Sequence, residues 1–267
     1  MTFADLEHLD LSTFISRTAD PDALWLFLHI PKTAGSSLSI ELAAARPPYR
    51  NIFVAEETPE SPYVGELQKA VDRFIADSAA GPFNSASGHV KYNHVAQIKA
   101  AEPRTRTFTF LRNPVSRLLS EFRYQRTPKH PQFEEFIARF PTIEDYIEDI
   151  SAKNIMTRFL FGLRNRDPLP DPQEAARDIL TKFDFIGVQE MYPMCFNILF
   201  MLFGLDKRPN VYERKTEENQ HNQVALSPAV SRRIRELNQV DVAIFDSVIA
   251  TLRNRRQEWV EIGRAHV

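Results

Sequence analysis

One ten-residue stretch, His29-Ile30-Pro31-Lys32-Thr33-Ala34-Gly35-Ser36-Ser37-Leu38, constrains this chain more than any other. It follows the apolar run Leu24 to Leu28 and precedes a helix-like segment, Ser36 to Arg46. The local order is therefore strand, tight turn, helix. The turn carries a lysine, a glycine and three hydroxyls. The helix start behind it offers backbone N–H groups with no intrahelical partner, and Lys32 adds a full positive charge. Such a helix N-terminus takes anions, so the segment reads as a cradle for the phosphate part of a nucleotide. It is not the usual ATP/GTP loop: Lys32 precedes Gly35, and no glycine opens the turn. The dinucleotide pattern G-x-G-x-x-G is also absent. An ordinary strand-to-helix turn with a helix N-cap uses the same residue types.

A second stretch adds weight. Thr107 to Leu111 alternates and is rich in β-formers, so it reads as a strand. Arg112-Asn113-Pro114 follows, with Pro114 suited to a first helical turn. Ser120 lies roughly two turns into that helix at ~3.6 residues per turn. Arg112 and Ser120 can then face one phosphate, although each is equally acceptable as a solvated surface residue. Arg104, Arg106, Arg112, Arg117, Arg123 and Arg126 surround this stretch against Glu121. In a chain of net charge −2, that concentration fits a localised anionic ligand and argues against a generic nucleic-acid binder.

Together the two stretches resemble the sulfotransferase family, specifically carbohydrate sulfotransferases of the heparan sulfate 2-O- and 6-O-sulfotransferase type. The resemblance implies that Lys32, Thr33, Ala34, Gly35, Ser36 and Ser37 hold the 5′-phosphosulfate of 3′-phosphoadenosine-5′-phosphosulfate (PAPS). It implies that Arg112 and Ser120 hold its 3′-phosphate. Ser87-Gly88-His89-Val90-Lys91-Tyr92 is similar to the family segment whose histidine is the base, which makes His89 and Lys32 the expected catalytic pair. Asn154 to Gly162, Phe185 to Glu190 and Leu237 to Asp246 also resemble family stretches. The resemblance thus covers about Trp25 to Leu252. Family members close a lysine-bearing loop over the adenosine, and Lys215 is the best match for it. The implied co-substrate is PAPS, leaving adenosine 3′,5′-bisphosphate, with no metal. The implied acceptor is a hydroxyl, on a glycan or glycolipid.

Composition agrees with one large domain. At 267 residues, 43% hydrophobic and 25% charged, the chain can bury a full core. The single cysteine, Cys195, excludes an internal disulfide and sits in an apolar run, so it reads as core. No Cys/His cluster has zinc spacing. Met1 to Pro21 lacks a signal pattern, and Met194 to Leu205 is too short to span a bilayer at ~20 residues. A cytoplasmic enzyme without a transmembrane segment is the expectation; the oligomeric state is not legible.

Strands alternating with helices predict an α/β, P-loop-NTPase-like three-layer fold with a central parallel sheet flanked by helices. Lys32, His89 and Arg112 all fall at strand C-terminal ends, where ligands of such sheets sit. The expected divisions are a lead-in over 1–22, a sulfotransferase domain over 23–260 and a non-native tail over 261–267, which reads like one frame of a sequencing adapter. His94, His130 and His221 are alternatives to His89. Arg158 either binds an acidic sugar or pairs with a core carboxylate. Two other functions remain open at this level: a P-loop-type nucleotide kinase, and a non-catalytic nucleotide or glycan binder on the same fold.

Overall fold

The computed structural model describes residues 1–54, 63–128, 130–205 and 223–265. A 3-10 turn over Phe3–Glu7 and helix α1 (Leu11–Thr18) lead into β1 (Leu24–Leu28). Then follow α2 (Gly35–Ala45), β2 (Tyr49–Ile52), α3 (Tyr63–Ala80), β3 (Ser85–Gly88), α4 (Tyr92–Ala101) and β4 (Thr105–Leu111). Helix α5 (Pro114–Gln125) is followed by the short α6 (Phe133–Arg139), α7 (Ile143–Glu148) and α8 (Ile155–Leu160). The chain continues through α9 (Pro172–Lys182), β5 (Phe185–Val188) and α10 (Tyr192–Leu202). It closes with α11 (Pro228–Leu237), α12 (Gln239–Asn254) and α13 (Arg256–Ala265).

The strands form one parallel sheet in the order β2-β3-β1-β4-β5. This is the expected α/β architecture. β1 lies in the middle and reads Leu-Trp-Leu-Phe-Leu, fully buried on both faces, as a central parallel strand must be. From β1 the chain departs toward β2, and from its neighbour β4 it departs toward β5. Adjacent strands whose connections diverge leave a crevice at their C-terminal ends. The turns after β1 and β4 carry Lys32 and Arg112, so topology alone brings both motifs to one crevice.

The main core joins the sheet to α10 and α12 through Trp25, Phe27, Phe108, Phe196, Phe200 and Ile244, among others. Cys195 belongs to this core. Burial pushes its thiol up to about 12, which makes it inert. A smaller second core packs α5 against α7 and α11. Its centre is an aromatic knot in which Phe122, Phe136, Phe140 and Tyr146 lie 5.2–5.8 Å apart. That knot sets the position of α5, and hence of Ser120.

The first 22 residues are more than an approach to β1, since Phe3, Leu6, Leu11 and Phe14 are buried in the main core. Three elements have no counterpart among the sequence expectations: α1, which falls within the expected lead-in, β2 and α4. β2 is a four-residue edge strand with two exposed positions, too short to alternate visibly. α4 has only a weak apolar stripe, Val95 and Ile98, beside the buried His94. Among the described residues no helix is long and apolar enough to cross a membrane.

Candidate active site

The turn after β1 is built from two left-handed non-glycine residues, Lys32 (φ 69°) and Ala34 (φ 71°). Each costs roughly 1–2 kcal/mol, a strain more common at ligand sites than in ordinary turns. Thr33 is buried, and its hydroxyl donates to the Ile30 carbonyl at 2.9 Å, pinning the loop. Ala34 stands at the N-cap of α2 and has no side-chain oxygen to cap it. The first helical bond runs from the Leu38 N–H to the Ala34 carbonyl. The N–H groups of Thr33 to Ser37 donate to no protein acceptor among the described residues. Five unused donors at an uncapped helix start suit a phosphate or sulfate, so the residues present fit the 5′ end of PAPS.

Gly35 is required for a packing reason. A Cβ on it would come 1.9 Å from Cδ2 of His29, whose ring stacks on Phe27. Gly35→Ala therefore displaces the His29 ring or the helix start. We expect turnover to fall at least about tenfold with little change in melting, checked by kinetics beside calorimetry.

The turn after β4 meets this cradle. Arg112 donates from Nη1 to the Lys32 carbonyl at 3.2 Å. Asn113 caps α5, its side-chain oxygen accepting from the Val115 and Ser116 N–H groups, and Pro114 occupies the first turn. Glu190, just beyond β5, accepts from the Asn113 N–H at 2.8 Å and clamps the turn. The Lys32 ammonium lies 3.9 Å from the centre of the Tyr124 ring. Burial holds this ammonium below its usual value; Glu121 opposes that shift, while Arg112 and Arg117 add to it. Arg117, Ser120, Glu121 and Tyr124 share one face of α5, so Ser120 lies one turn from the ring under Lys32. Every described residue expected at the PAPS ends is thus in one neighbourhood; Lys215 and His221 lie outside the described residues.

The arginine concentration of the sequence does not survive folding. Arg104 and Arg106 sit at the opposite end of β4, bonded to Glu102 and to Asp184. Arg123 and Arg126 donate to the Val224 and Phe140 carbonyls. Strand direction and helix phase separate these side chains, leaving Arg112 and Arg117 beside Lys32.

His89 follows β3, and its Nδ1 is 2.7 Å from the His29 carbonyl. A carbonyl can only accept, so Nδ1 carries the proton and Nε2 keeps a lone pair. The ring is exposed at one edge but lies in a recess. Desolvation there lowers its pKa, against smaller raising effects of the His29 carbonyl and Glu121. His29 lies against it with the rings tilted by 34° and 4.3 Å between centres, and is held down to about 3 by burial, His89 and Lys32. Both imidazoles are neutral at pH 7. His94 is buried and accepts from the Lys91 N–H, a structural role. His130 lies edge-on to Tyr124, the ring that Lys32 also meets. Arg158 donates to the Lys153 and Arg164 carbonyls, and Lys91 does the same for Leu163.

The stretches Asn154–Gly162 and Leu237–Asp246 interlock. Asn154 accepts from the Val240 and Asp241 N–H groups at the start of α12. Asp241 in turn accepts from Met156 and Thr157 at the start of α8. Each caps the other's helix. The residues that the sequence pattern alone did not single out are Tyr124, Glu121 and His29. Tyr124 had one available signal, its position four residues after Ser120.

A recess of about 380 Å³ opens beside His89, between α2, β2 and β3. Ser36, Ser39, Tyr49 and Ser87 line it, and Ser87 links Tyr49 (2.7 Å) to Ser39 (3.1 Å) through hydroxyl hydrogen bonds. Ser36 belongs both to this wall and to the anion cradle.

No curated protein matches the sequence. The crystal structure of mouse sulfotransferase SULT7A1 complexed with PAP aligns over 92% of this chain and 93% of that one, at 14% identity and a TM-score of 0.42. The family model described as "Sulfotransferase family" matches residues 18–246, which include the turns after β1 and β4, His89 and the interlocked helix starts. The chain therefore belongs to the sulfotransferase family, the PAPS-dependent class that its two anion-binding motifs resemble.

Proposed function

We propose that this protein transfers the sulfuryl group of PAPS to a hydroxyl of a carbohydrate or glycoconjugate by in-line displacement, with His89 as general base. The observation that carries the reading is the contact between the two motif turns. Arg112 donates to the carbonyl of Lys32, so one doubly phosphorylated adenosine can reach both. PAPS supplies the activated sulfate and a phosphate leaving group. The N–H groups from Thr33 to Ser37 hold the 5′ oxygens, and Lys32 neutralises charge that develops on the phosphate as its bond to sulfur breaks. His89 Nε2 takes the acceptor hydroxyl's proton as the new oxygen–sulfur bond forms. Arg112 and Ser120 hold the 3′-phosphate and so exclude ATP.

Calorimetry tests the nucleotide half. Adenosine 3′,5′-bisphosphate should bind at least about tenfold tighter than adenosine 5′-monophosphate. Ser120→Ala and Arg112→Lys should each narrow that gap, by up to about tenfold for the loss of one charge-assisted hydrogen bond. Equal affinity for the two nucleotides in the unsubstituted protein would remove Arg112 and Ser120 from the site. Incubation with labelled PAPS and a panel of polysaccharides and lipids tests the acceptor half.

A further inference from the structure

The wall of the recess beside His89 carries chemistry that the transfer reaction alone does not require. Among the described residues lining it there is no lysine, arginine, aspartate or glutamate. Its two histidines are held neutral near pH 7. Its polar groups are hydroxyls and an amide: Ser36, Ser39, Tyr49, Asn51 and Ser87. Such a set exchanges hydrogen bonds with sugar hydroxyls and brings no positive charge to a carboxylate or sulfate, which bind most strongly where Arg or Lys forks are available.

The mouth of the recess is apolar. Phe53 is 61% exposed and Tyr63 40% exposed, and both line it. Of the eight large exposed hydrophobic side chains among the described residues, these two stand together at this opening, beside the apolar Ile52 and Val54. Scattered exposed hydrophobics need no explanation, but a cluster at the mouth of a polar recess marks a ligand with two characters.

Resting on the proposed transfer to a glycoconjugate, we infer that the acceptor is an uncharged sugar carried on an apolar group, a neutral glycolipid or alkyl glycoside, and not a polyanionic glycan. The sugar occupies the hydroxyl-lined recess with one hydroxyl at His89. The apolar group lies across Phe53 and Tyr63.

Ligand-observed NMR competition on the full chain, with and without adenosine 3′,5′-bisphosphate, tests this independently of turnover. The ligands are methyl, hexyl and octyl glycosides of glucose, galactose and mannose below their micellar concentrations, and a heparan sulfate octasaccharide. Affinity for at least one sugar should rise on the order of tenfold or more from methyl to octyl, and the octasaccharide should bind more weakly than the octyl glycoside. The double substitution Phe53→Ser with Tyr63→Ser, at solvent-exposed positions lining the mouth, should compress the octyl-to-methyl ratio to about twofold. A tighter octasaccharide, a flat chain-length series, no glycoside binding, or an undiminished ratio in the double variant would each overturn the inference. Labelled-PAPS transfer is scored separately. A chain-length gradient without any transfer would overturn the proposed reaction and leave the binding preference standing.

Discussion

His89→Ala is expected to lower single-turnover sulfuryl transfer by about 10²–10⁴-fold, the usual worth of a general base. Affinity for adenosine 3′,5′-bisphosphate should stay within about twofold, since His89 follows β3 and the proposed nucleotide contacts lie on the turns after β1 and β4. The argument is geometric first. The His29 carbonyl holds Nδ1 as the protonated nitrogen, leaving Nε2 to accept. The pH profile gives a second readout. Because the surroundings of His89 lower its pKa, Nε2 stays unprotonated to a pH below the ordinary imidazole value of about 6.5. The rate should therefore be flat through neutrality and fall only on the acid side of that value. The limb should vanish in the alanine variant. Wild-type turnover in His89→Ala, or an acid limb that persists in it, would transfer the role of base elsewhere. Single-turnover measurement matters here, since product release can mask a chemical defect in kcat.

The largest expected stability effect lies far from any reacting atom. Asp241→Ala should destabilise the fold by about 3–5 kcal/mol, measured by urea unfolding. Asp241 is 1% exposed. It accepts from the Thr157 hydroxyl at 2.6 Å, the Thr157 N–H at 2.7 Å and the Met156 N–H at 3.1 Å. Alanine leaves those three buried donors without an acceptor, at about 1–3 kcal/mol each. Against this, burial raises the carboxyl's pKa despite the hydrogen bonds, so part of the loss is offset by removing a desolvated acid. Three abandoned donors outweigh one relieved group. Helix α8 has only six residues and cannot hold its own first turn. Asp246, half exposed and paired with Arg235 at 3.6 Å, is the control. Asp246→Ala should cost less than about 1 kcal/mol. Equal losses at the two positions would mean that the interlock of Asn154 and Asp241 is not what secures α8 to α12.

These two positions also separate what was legible in the sequence from what was not. The strand-turn-helix order around Lys32 and the strand-end position of Arg112 follow from local patterning, since both turns are short and bounded by strong β-forming runs. Asn154 and Asp241 could be recognised as motif residues, yet nothing in their spacing said that each caps the other's helix across 87 residues of chain. The arginines between 104 and 126 looked like one patch because they are close in sequence. A seven-residue strand carries its two ends to opposite edges of the sheet, and that scattered them.

The chain's own order of residues determined the parallel α/β class, the two anion turns and their family. Those features are written in short-range periodicity and in residues whose φ, charge or missing side chain acts locally. Only the tertiary structure decided that Tyr124 lies under Lys32, that the His29 carbonyl selects the tautomer of His89, and that a hydroxyl-lined recess opens beside it. Each of these is a contact between segments brought together by strand order, and the free energy that selects strand order comes from burying the whole core at once.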